Sequence, residues 1–370
     1  MINTRDVYHR QLVKTAHWCL KSIKKGDGGS CAHYNPILGW SKPYPETTGY
    51  LIPTLYKLED HLGGTIFRES AKNLGQWLLS IQNPDGSWCG GLHPAKNKNG
   101  SVFNTGQIII GLMSIFRETG DHKYLDSALR AAEWLVNVQN DDGLWPGGDY
   151  LSDETPSYYT HVCWPMLEVW SECRDELILD GSLRALDSIH ERIRPNGSIG
   201  LWGFKKDMPA FTHTIAYTIR GFQEASRILD DYERYCSPIE PTLEKLIRLS
   251  ELSSGKLPGS FDYDWNGDKS FVCLTGNLQL AESFLLFESH ENDLRIVNAA
   301  AKLVDYVIDR SQRLRMKQSL RGAVAGSYPL WGKYMMGRYP NWAAKYLCDV
   351  LITLSNRVEI EIENQLDQKL

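Results

Sequence analysis

The phrase QNPDGSW at residues 82–88 recurs as QNDDGLW at residues 139–145, 57 positions further along the chain. Neighbouring residues repeat at the same offset: Phe67 with Tyr124, Ala71 with Ala128, Trp77 with Trp134, Leu78 with Leu135 and Gly91 with Gly148. A phrase whose flanks recur at one spacing indicates a structural repeat. The repeat unit therefore guides the interpretation of the rest of the chain.

Each repeat unit contains an amphipathic helix, a loop rich in Gly and Trp, and a helix that is apolar on nearly every side. Apolar residues in 65–81 recur at helical spacing, whereas residues 107–116 have the composition of a fully buried helix. The pattern predicts buried helices at 46–61, 104–118, 159–173, 211–229, 274–289 and 341–356. It predicts amphipathic helices at roughly 4–24, 65–82, 122–139, 177–193, 238–252 and 294–311.

Strict alternation of the two helix types predicts an inner ring of buried helices inside an outer ring of amphipathic ones. A closed ring leaves no exposed end repeat of the kind that an open solenoid must cap. We therefore predict an all-α fold, an (α/α)6 toroid of six helical hairpins, as a single domain over residues 1–356, followed by a polar tail at 357–370. Sequential helices are antiparallel, so the N-termini of all inner helices meet at one pole.

Composition narrows the class of protein. The 370 residues are 42% hydrophobic and 23% charged, with a net charge of -5, and no basic stripe is visible that would favour nucleic acid. No apolar stretch is long enough for a membrane span, so we expect no membrane insertion. The eight cysteines form no CxxC pair and the N-terminus lacks a secretory apolar segment. These features predict a cytoplasmic protein with reduced thiols.

One Trp precedes each inner helix: Trp40, Trp88, Trp145, Trp202, Trp265 and Trp331. The inner helices then open on similar phrases, such as Thr48-Gly49 and Thr105-Gly106, in which Thr is expected to cap the helix. The Trp residues have two interpretations, since they either fill the gaps between helix ends or contact a ligand at the pole.

The chain resembles the (α/α)6 toroids over about residues 4–356. These include six-hairpin glycosidases, polysaccharide lyases, glucuronyl epimerase domains and the terpenoid cyclase and prenyltransferase group. The specific pieces are Gln82, Gly86 and Trp88 and their repeats Gln139, Gly143 and Trp145. They resemble the "QW" repeats of triterpene cyclases, in which the motif ties helix ends together. The resemblance implies the fold rather than the chemistry, because one fold hosts many reactions.

The terpenoid branch of this resemblance implies motifs that the sequence lacks. There is no DxDD acid motif, the nearest phrase being Asp262-Tyr263-Asp264, and no amphipathic membrane-docking insertion. His161 and Cys163 are two residues apart and cannot share a helical face, as a shared zinc ion would require. We therefore predict neither a metal ion nor a cofactor, and a cyclase is the disfavoured alternative.

The pole combines aromatic, amide and charged side chains in the way that sugar-binding clefts do, since indole stacks on the apolar sugar face and polar groups bind hydroxyls. The positive ends of the inner helices, with Lys333 and Arg338, favour an acidic sugar. The candidate ligand residues are Trp40, Tyr44, Asn104, Trp202, Asn277, Trp331, Lys333 and Trp342.

Two reaction types fit the candidate catalytic residues. In a glycoside hydrolase, Glu46 and Asp264 would be the carboxylate pair. In a uronate lyase or epimerase, His161, His213 or Tyr328 would remove the proton next to the carboxylate, which Asn277 and Lys333 would neutralise. His161 and His213 occupy equivalent positions in consecutive repeats, so we expect them to be neighbours on the ring.

The sequence therefore predicts a carbohydrate-active enzyme acting on a poly- or oligosaccharide that contains an acidic sugar. Lyase, hydrolase and epimerase chemistry all stay open at this stage. The alternative outside enzymology is a non-catalytic glycan-binding protein on the same ring.

Overall fold

The computed structural model describes residues 4–146, 154–206, 208–291, 293–314 and 318–367. The helices in these segments are α1 (Thr4–Lys25), α2 (Pro45–Leu62), α3 (Ile66–Ser80), α4 (Val102–Thr119), α5 (His122–Asn137), α6 (Thr160–Cys173), α7 (Glu176–His190), α8 (Thr212–Leu229), α9 (Tyr232–Tyr235), α10 (Glu240–Ser253), α11 (Leu274–Glu291), α12 (Leu294–Arg313) and α13 (Asn341–Asp367). Their bounds agree with the predicted helices to within a few residues except at the end of α13, which continues as a helix through most of the predicted polar tail.

Six helices form a closed inner ring. Helices α2, α4, α6, α8, α11 and α13 each contact the next one along the chain, and α13 contacts α2. Outer helices α3, α5, α7 and α12 pack on the inner helices that precede them, while α1 packs on α13. The two ends of the chain thus close the ring, which confirms the predicted (α/α)6 toroid.

Glycine allows the inner helices to approach closely. A Cβ on Gly111 of α4 would lie 2.3 Å from the Gly49 carbonyl oxygen of α2, and a Cβ on Gly276 of α11 would lie 2.1 Å from Thr212 Oγ1 of α8. Any larger residue at these positions would push neighbouring helices apart. The narrow ring brings side chains from opposite helices into contact across its centre.

The two QW phrases tie each loop to the next outer helix. Gln82 Nε2 donates to the carbonyl oxygens of Gly86 and Ser127, and the indole nitrogen of Trp88 donates to Leu78 O at 2.9 Å. In the second copy Gln139 donates to Gly143 and Gly181, and Trp145 to Leu135. Gly86 and Gly143 have φ of +94° and +77°, a backbone conformation that favours glycine. The structural role expected of the motif is confirmed.

The Thr residues of the inner helices do not cap them as expected. Thr48 lies in the first turn, where its hydroxyl donates to Tyr44 O and accepts from Ser30 N. Thr105 Oγ1 accepts from Trp88 N at 3.0 Å. The capping prediction is wrong for these two residues, because the helices begin three residues earlier and the hydroxyls bind the preceding loops instead.

Short strands connect the loops of neighbouring repeats. Strands β1 (His33–Asn35), β2 (Gly39–Trp40) and β7 (Tyr339–Pro340) form an antiparallel sheet in the order β2-β1-β7. Strand β3 (Ala210–Phe211) pairs with β4 (Ser260–Phe261), and β5 (Val272–Cys273) with β6 (Ser327–Tyr328). These pairs hold the loops over the N-terminal ends of the inner helices. Among the described helices, none has the length and apolarity required to cross a bilayer.

Candidate functional site

A cavity of about 670 Å³ opens at the pole where the inner helices begin. Its walls come from the first turns of α2, α4, α8 and α13, from the residues preceding α6, and from the loops around residues 204–211 and 333–335. Six of the predicted site residues line it: Tyr44, Glu46, Asn104, His213, Lys333 and Trp342. Convergence of inner-helix N-termini on one cavity is the arrangement that the closed ring predicts.

The cavity walls are largely aromatic. The Trp342 indole donates to the Tyr334 hydroxyl at 2.9 Å and meets the Tyr44 ring edge-on, with centroids 6.4 Å apart. Phe103 and Tyr158 form a second edge-on pair, 5.3 Å apart. These contacts fix flat apolar surfaces, which suit the apolar faces of sugar rings.

His213 lies in the first turn of α8 and is buried. Its Nδ1 is 2.7 Å from Gln279 Oε1, and its ring packs between Tyr217 and Tyr334 at centroid distances of 4.5 and 4.8 Å. An amide oxygen only accepts, so Nδ1 carries the proton and Nε2 is the basic nitrogen. Burial lowers the pKa of His213 to about 4, against the opposing effect of the Gln279 hydrogen bond. The imidazole is therefore neutral at pH 7.

His161 repeats this arrangement one hairpin earlier. Its Nδ1 is 2.8 Å from Gln107 Oε1, and Gln107 Nε2 donates to the His161 carbonyl oxygen, which fixes the orientation of the amide. Burial, with Arg220 and Lys345 nearby, holds the pKa of His161 well below its usual value. The centroids of the His161 and Tyr217 rings are 4.4 Å apart. The two histidines therefore share Tyr217 as a neighbour, as their equivalent repeat positions predict. His161 lines a second cavity, towards the C-terminal ends of the inner helices, rather than the one at the pole.

Glu46 is the one carboxylate among the described residues that line the cavity at the pole. It lies in the first turn of α2 and is 7% exposed. Its charge adds to burial in raising the pKa of Tyr50 and of Tyr217 well above the usual value, so both phenols stay protonated. The cavity thus combines one acid, one neutral imidazole and hydroxyl donors.

Asp264 does not join Glu46. The carboxylate of Asp262 accepts from the backbone N–H groups of Asp264 and Asn266 at 2.9 and 2.8 Å, which closes a tight turn. This turn leaves Asp264 exposed and outside the cavity lining. The predicted carboxylate pair of Glu46 and Asp264 is therefore wrong.

Asn104 and two lysines supply polar groups at the cavity. Asn104 Nδ2 donates to Ser101 Oγ at 2.8 Å, while its buried Oδ1 has no partner among the described residues. Lys333 lies at the rim, where its ammonium binds Asp268 at 2.6 Å and, as the main cause, lowers the pKa of that carboxyl to about 2. Lys205 also lines the cavity.

Five further predicted residues lie away from the cavity lining. Trp202 is 1% exposed and packs edge-on against Trp265. The ring of Trp40 packs on that of Trp18, with centroids 4.7 Å apart. Asn277 is fully buried and donates to Gly255 O. The guanidinium carbon of Arg310 lies 5.0 Å from the centroid of the Tyr328 ring. Trp331 is 74% exposed. Their predicted site roles are corrected: Trp40, Trp202, Asn277 and Tyr328 pack within the fold, and Trp331 faces outward.

The sequence did not lead us to three neighbouring tyrosines, of which Tyr50 and Tyr217 line the cavity and Tyr346 lies next to Tyr217. Tyr50, Tyr217 and Tyr346 lie four residues after Glu46, His213 and Trp342, on the same helix faces. The hydroxyl of Tyr217 interacts with those of Tyr50 and Tyr346. The spacing i, i+4 from each predicted site residue is the signal that would have found them.

The second cavity, which His161 lines, has a volume of about 390 Å³ and lies towards the C-terminal ends of the inner helices. Its lining includes five basic and five acidic side chains, joined by ion pairs such as Lys345–Asp349 and Arg220–Glu224, both at 2.7 Å. Tyr50 lines both cavities and thus lies at their boundary. Within the described part of the chain, no three His, Cys, Asp or Glu residues converge to hold a metal ion.

The same fold occurs in known carbohydrate enzymes. The chain is similar to an unsaturated glucuronyl hydrolase specific for heparin, with 15% identity, a TM-score of 0.77, and coverage of 96% of this chain and 98% of that one. It is similar to cellobiose 2-epimerase from Bacillus thermoamylovorans B4167, with 12% identity, a TM-score of 0.77, and coverage of 96% and 100%. A sugar epimerase from a ruminal bacterium matches at 13% identity and a TM-score of 0.75, over 95% of this chain and 99% of that one.

At this identity the similarity shows the fold, an (α/α)6 toroid over nearly the whole chain. No protein-family model matches the sequence, and the comparison with curated proteins finds no match.

Proposed function

We propose that this protein is a carbohydrate-active enzyme that removes a proton from a sugar carbon next to a carboxylate, within an acidic oligosaccharide. The observation that carries the proposal is His213, a buried neutral imidazole whose Nδ1 is held by Gln279 in an aromatic cavity. A neutral imidazole with a free Nε2 lone pair is the form that a general base requires. The similarity to glucuronyl hydrolases and sugar epimerases supports a saccharide as substrate.

His213 Nε2 takes the proton, and the electron pair of the broken C–H bond moves onto the carboxylate, which becomes an enediolate. The phenols of Tyr50 and Tyr217 stay protonated and are donors to that developing charge. Inner-helix N-termini and Lys333 add positive potential. Return of a proton to the opposite face gives the epimer, whereas loss of the substituent one carbon further gives an unsaturated sugar.

Glycoside hydrolysis is the second candidate. It is favoured by the similarity to a glucuronyl hydrolase and by the position of Glu46 in the cavity. It is disfavoured because glycoside hydrolysis generally uses two carboxylates. Among the described residues that line the cavity, Glu46 is the one that carries a carboxylate. The unpaired state of all eight cysteines supports a reducing compartment, and we propose that the protein is cytoplasmic.

The test is incubation with acidic and neutral oligosaccharides in D2O, followed by NMR, the ultraviolet absorbance of an unsaturated sugar and a reducing-end assay. Deuterium at the carbon next to the carboxylate supports proton removal, and new absorbance identifies elimination. The variant His213→Gln should abolish exchange, while His17→Ala, which changes an exposed histidine on α1, should not. Reducing ends without deuterium incorporation would assign the chain to hydrolysis, and affinity without any product would assign it to glycan binding.

A further inference from the structure

Two loops next to the cavity present apolar side chains to solvent. Strand β1 pairs antiparallel with β7, with His33 opposite Pro340 and Tyr34 opposite Tyr339. The loops stay adjacent beyond these pairs, since Asn35 Nδ2 donates to Gly337 O at 3.4 Å. The hairpin tip that carries Ile37 and the loop that carries Met336 are therefore adjacent.

The loop that carries Met336 also carries Trp331. Gly337 N donates to Leu330 O at 2.8 Å, which closes the loop that carries both Trp331 and Met336. On the first loop the Asn35 side chain accepts from the N–H groups of Ile37 and Leu38, and so holds the tip of the hairpin in a fixed turn. Hydrogen bonds of the backbone and of Asn35 therefore hold both loops that carry these apolar side chains.

These four residues are the rim patch: Ile37, Leu38, Trp331 and Met336. Their exposed fractions are 91%, 84%, 74% and 59%. Scattered exposed apolar residues need no explanation, but four on two adjacent loops beside a ligand cavity mark an interaction surface. The next residues along the chain, Lys333, Tyr334 and Met335, line the cavity.

The chain around the rim patch is strongly basic. Residues 21–44 and 318–340 contain seven Lys or Arg and one Asp, a local net charge of +6 in a chain whose net charge is -5. Helix α1 lies against the second of these segments through the bond from Lys21 Nζ to Ser319 O. Lys42, Arg321 and Arg338 are exposed. This charge favours an anionic partner.

We propose that the rim patch docks the protein on an anionic membrane surface. Trp and aliphatic side chains insert at the level of the lipid headgroups, and Lys or Arg residues near the surface each add attraction to anionic lipid. Four side chains at loop tips fit between headgroups, whereas a stable protein–protein interface uses a much larger surface of roughly 20–30 residues a side. The contact is peripheral and involves no membrane span.

Docking by the rim patch holds the cavity mouth against the membrane. If the proposed function is correct, its substrate is then a saccharide displayed at the membrane surface. The docking itself does not depend on that function, and it is tested without measuring activity.

The experiment is flotation of the full chain with vesicles of phosphatidylcholine, alone or with about 30 mol% phosphatidylglycerol. We expect binding to the anionic vesicles that weakens at high salt. The double variant Ile37→Ser/Leu38→Ser should bind at least tenfold more weakly. The matched control Leu177→Ser/Leu252→Ser changes two leucines that are 72% and 75% exposed on outer helices, and should bind as the unchanged protein does.

A second variant, Arg338→Gln with Lys42→Gln, should reduce binding to anionic vesicles without changing the melting temperature. The proposal is overturned if the protein ignores anionic vesicles, or if the rim-patch and control variants bind equally. Binding of an acidic polysaccharide in the absence of vesicle binding would also overturn it, as would a dimer in sedimentation that the rim-patch variant abolishes. A lack of vesicle binding by the unchanged protein, together with measured turnover, would reject docking and leave the proposed function standing.

Discussion

His213 Nδ1 lies 2.7 Å from Gln279 Oε1, so a glutamine amide in α11 sets the tautomer of the histidine in α8. The same relationship joins His161 to Gln107 one hairpin away. Because the Gln279 amide is uncharged, its hydrogen bond orients the imidazole of His213 and offsets only part of the effect of burial on its pKa. The proposed base is therefore neutral well into the acid range.

The acid limb of the pH profile is the first prediction. Burial lowers the pKa of His213 to about 4, so kcat/KM should fall with an apparent pKa near 4 rather than near 6.5. Gln279→Glu puts a carboxylate beside Nδ1, which favours the imidazolium and should move the limb towards neutral pH. Initial rates from pH 3.5 to 8 check both. A limb that stays in place in the Glu variant would exclude His213 as the titrating base.

Stability should fall on acidification. The folded-state pKa of His213 lies below its unfolded value of about 6.5, so the unfolded chain binds more protons between pH 6.5 and 4 and stability is lost as the pH falls through that window. Going from pH 7 to pH 5 should remove about 2 kcal/mol through this one group. Urea unfolding at the two pH values measures it. His213→Gln should show a smaller loss, and an equal loss in the variant would contradict the assignment.

Lys333 should affect acidic substrates selectively. Its ammonium lies at the cavity rim, paired with Asp268. Lys333→Gln should raise KM for an acidic oligosaccharide about tenfold and leave kcat and neutral-sugar binding nearly unchanged, because a rim charge contributes mainly to attraction. Steady-state kinetics on matched acidic and neutral sugars measure this. Lys245→Gln on α10 is the control, and an equal effect on neutral sugars would exclude the charge role.

Lys345 should stabilise the interior through Asp349. The pair is 2.7 Å apart in the second cavity, where Asp349 also accepts from Thr54. Lys345→Met leaves a buried carboxylate short of its partner and should lower the free energy of unfolding by about 3–5 kcal/mol. Adding Asp349→Leu should recover much of that loss, which urea denaturation can follow. A double variant no more stable than the single one would show that the pair is not coupled.

The side chain of Gln82 should contribute more to the free energy of unfolding than an exposed amide does. Its side chain makes four hydrogen bonds, to Gly86 O, Ser127 O, Ser127 Oγ and Arg130. Gln82→Ala leaves several of these groups unpaired and should destabilise the fold by about 1–3 kcal/mol. Asn97→Ala, in an exposed loop, is the comparison for urea unfolding. Equal midpoints would show that the motif does not tie the loop to α5.

The sequence and the structure agree where periodicity carries the information. The repeat of Gln82 and Trp88 at Gln139 and Trp145, and the alternation of two helix types, predict the closed ring. They also predict that Glu46, Asn104 and His213 converge, because each lies in the first turns of an inner helix. Tyr217 was missed although its i, i+4 spacing from His213 is visible in the sequence.

The loop residues were predicted less well, because a loop side chain is directed by local hydrogen bonds that no periodicity shows. Asp264 faces solvent because the carboxylate of Asp262 closes the turn between them. Trp202 fills a gap between helices and Trp331 faces outward, although both occupy equivalent repeat positions.

The sequence by itself thus determined the ring, its polarity and the residues that begin each inner helix, since these follow from spacing along one chain. Only the tertiary structure decided which groups meet. His213 contacts Gln279 across two helices, and Asn35 contacts Gly337, about 300 residues away, because β1 pairs with β7 where the ring closes. The basic surface has the same origin, since its charges come from the two ends of the chain, which the closure of α1 on α13 brings together.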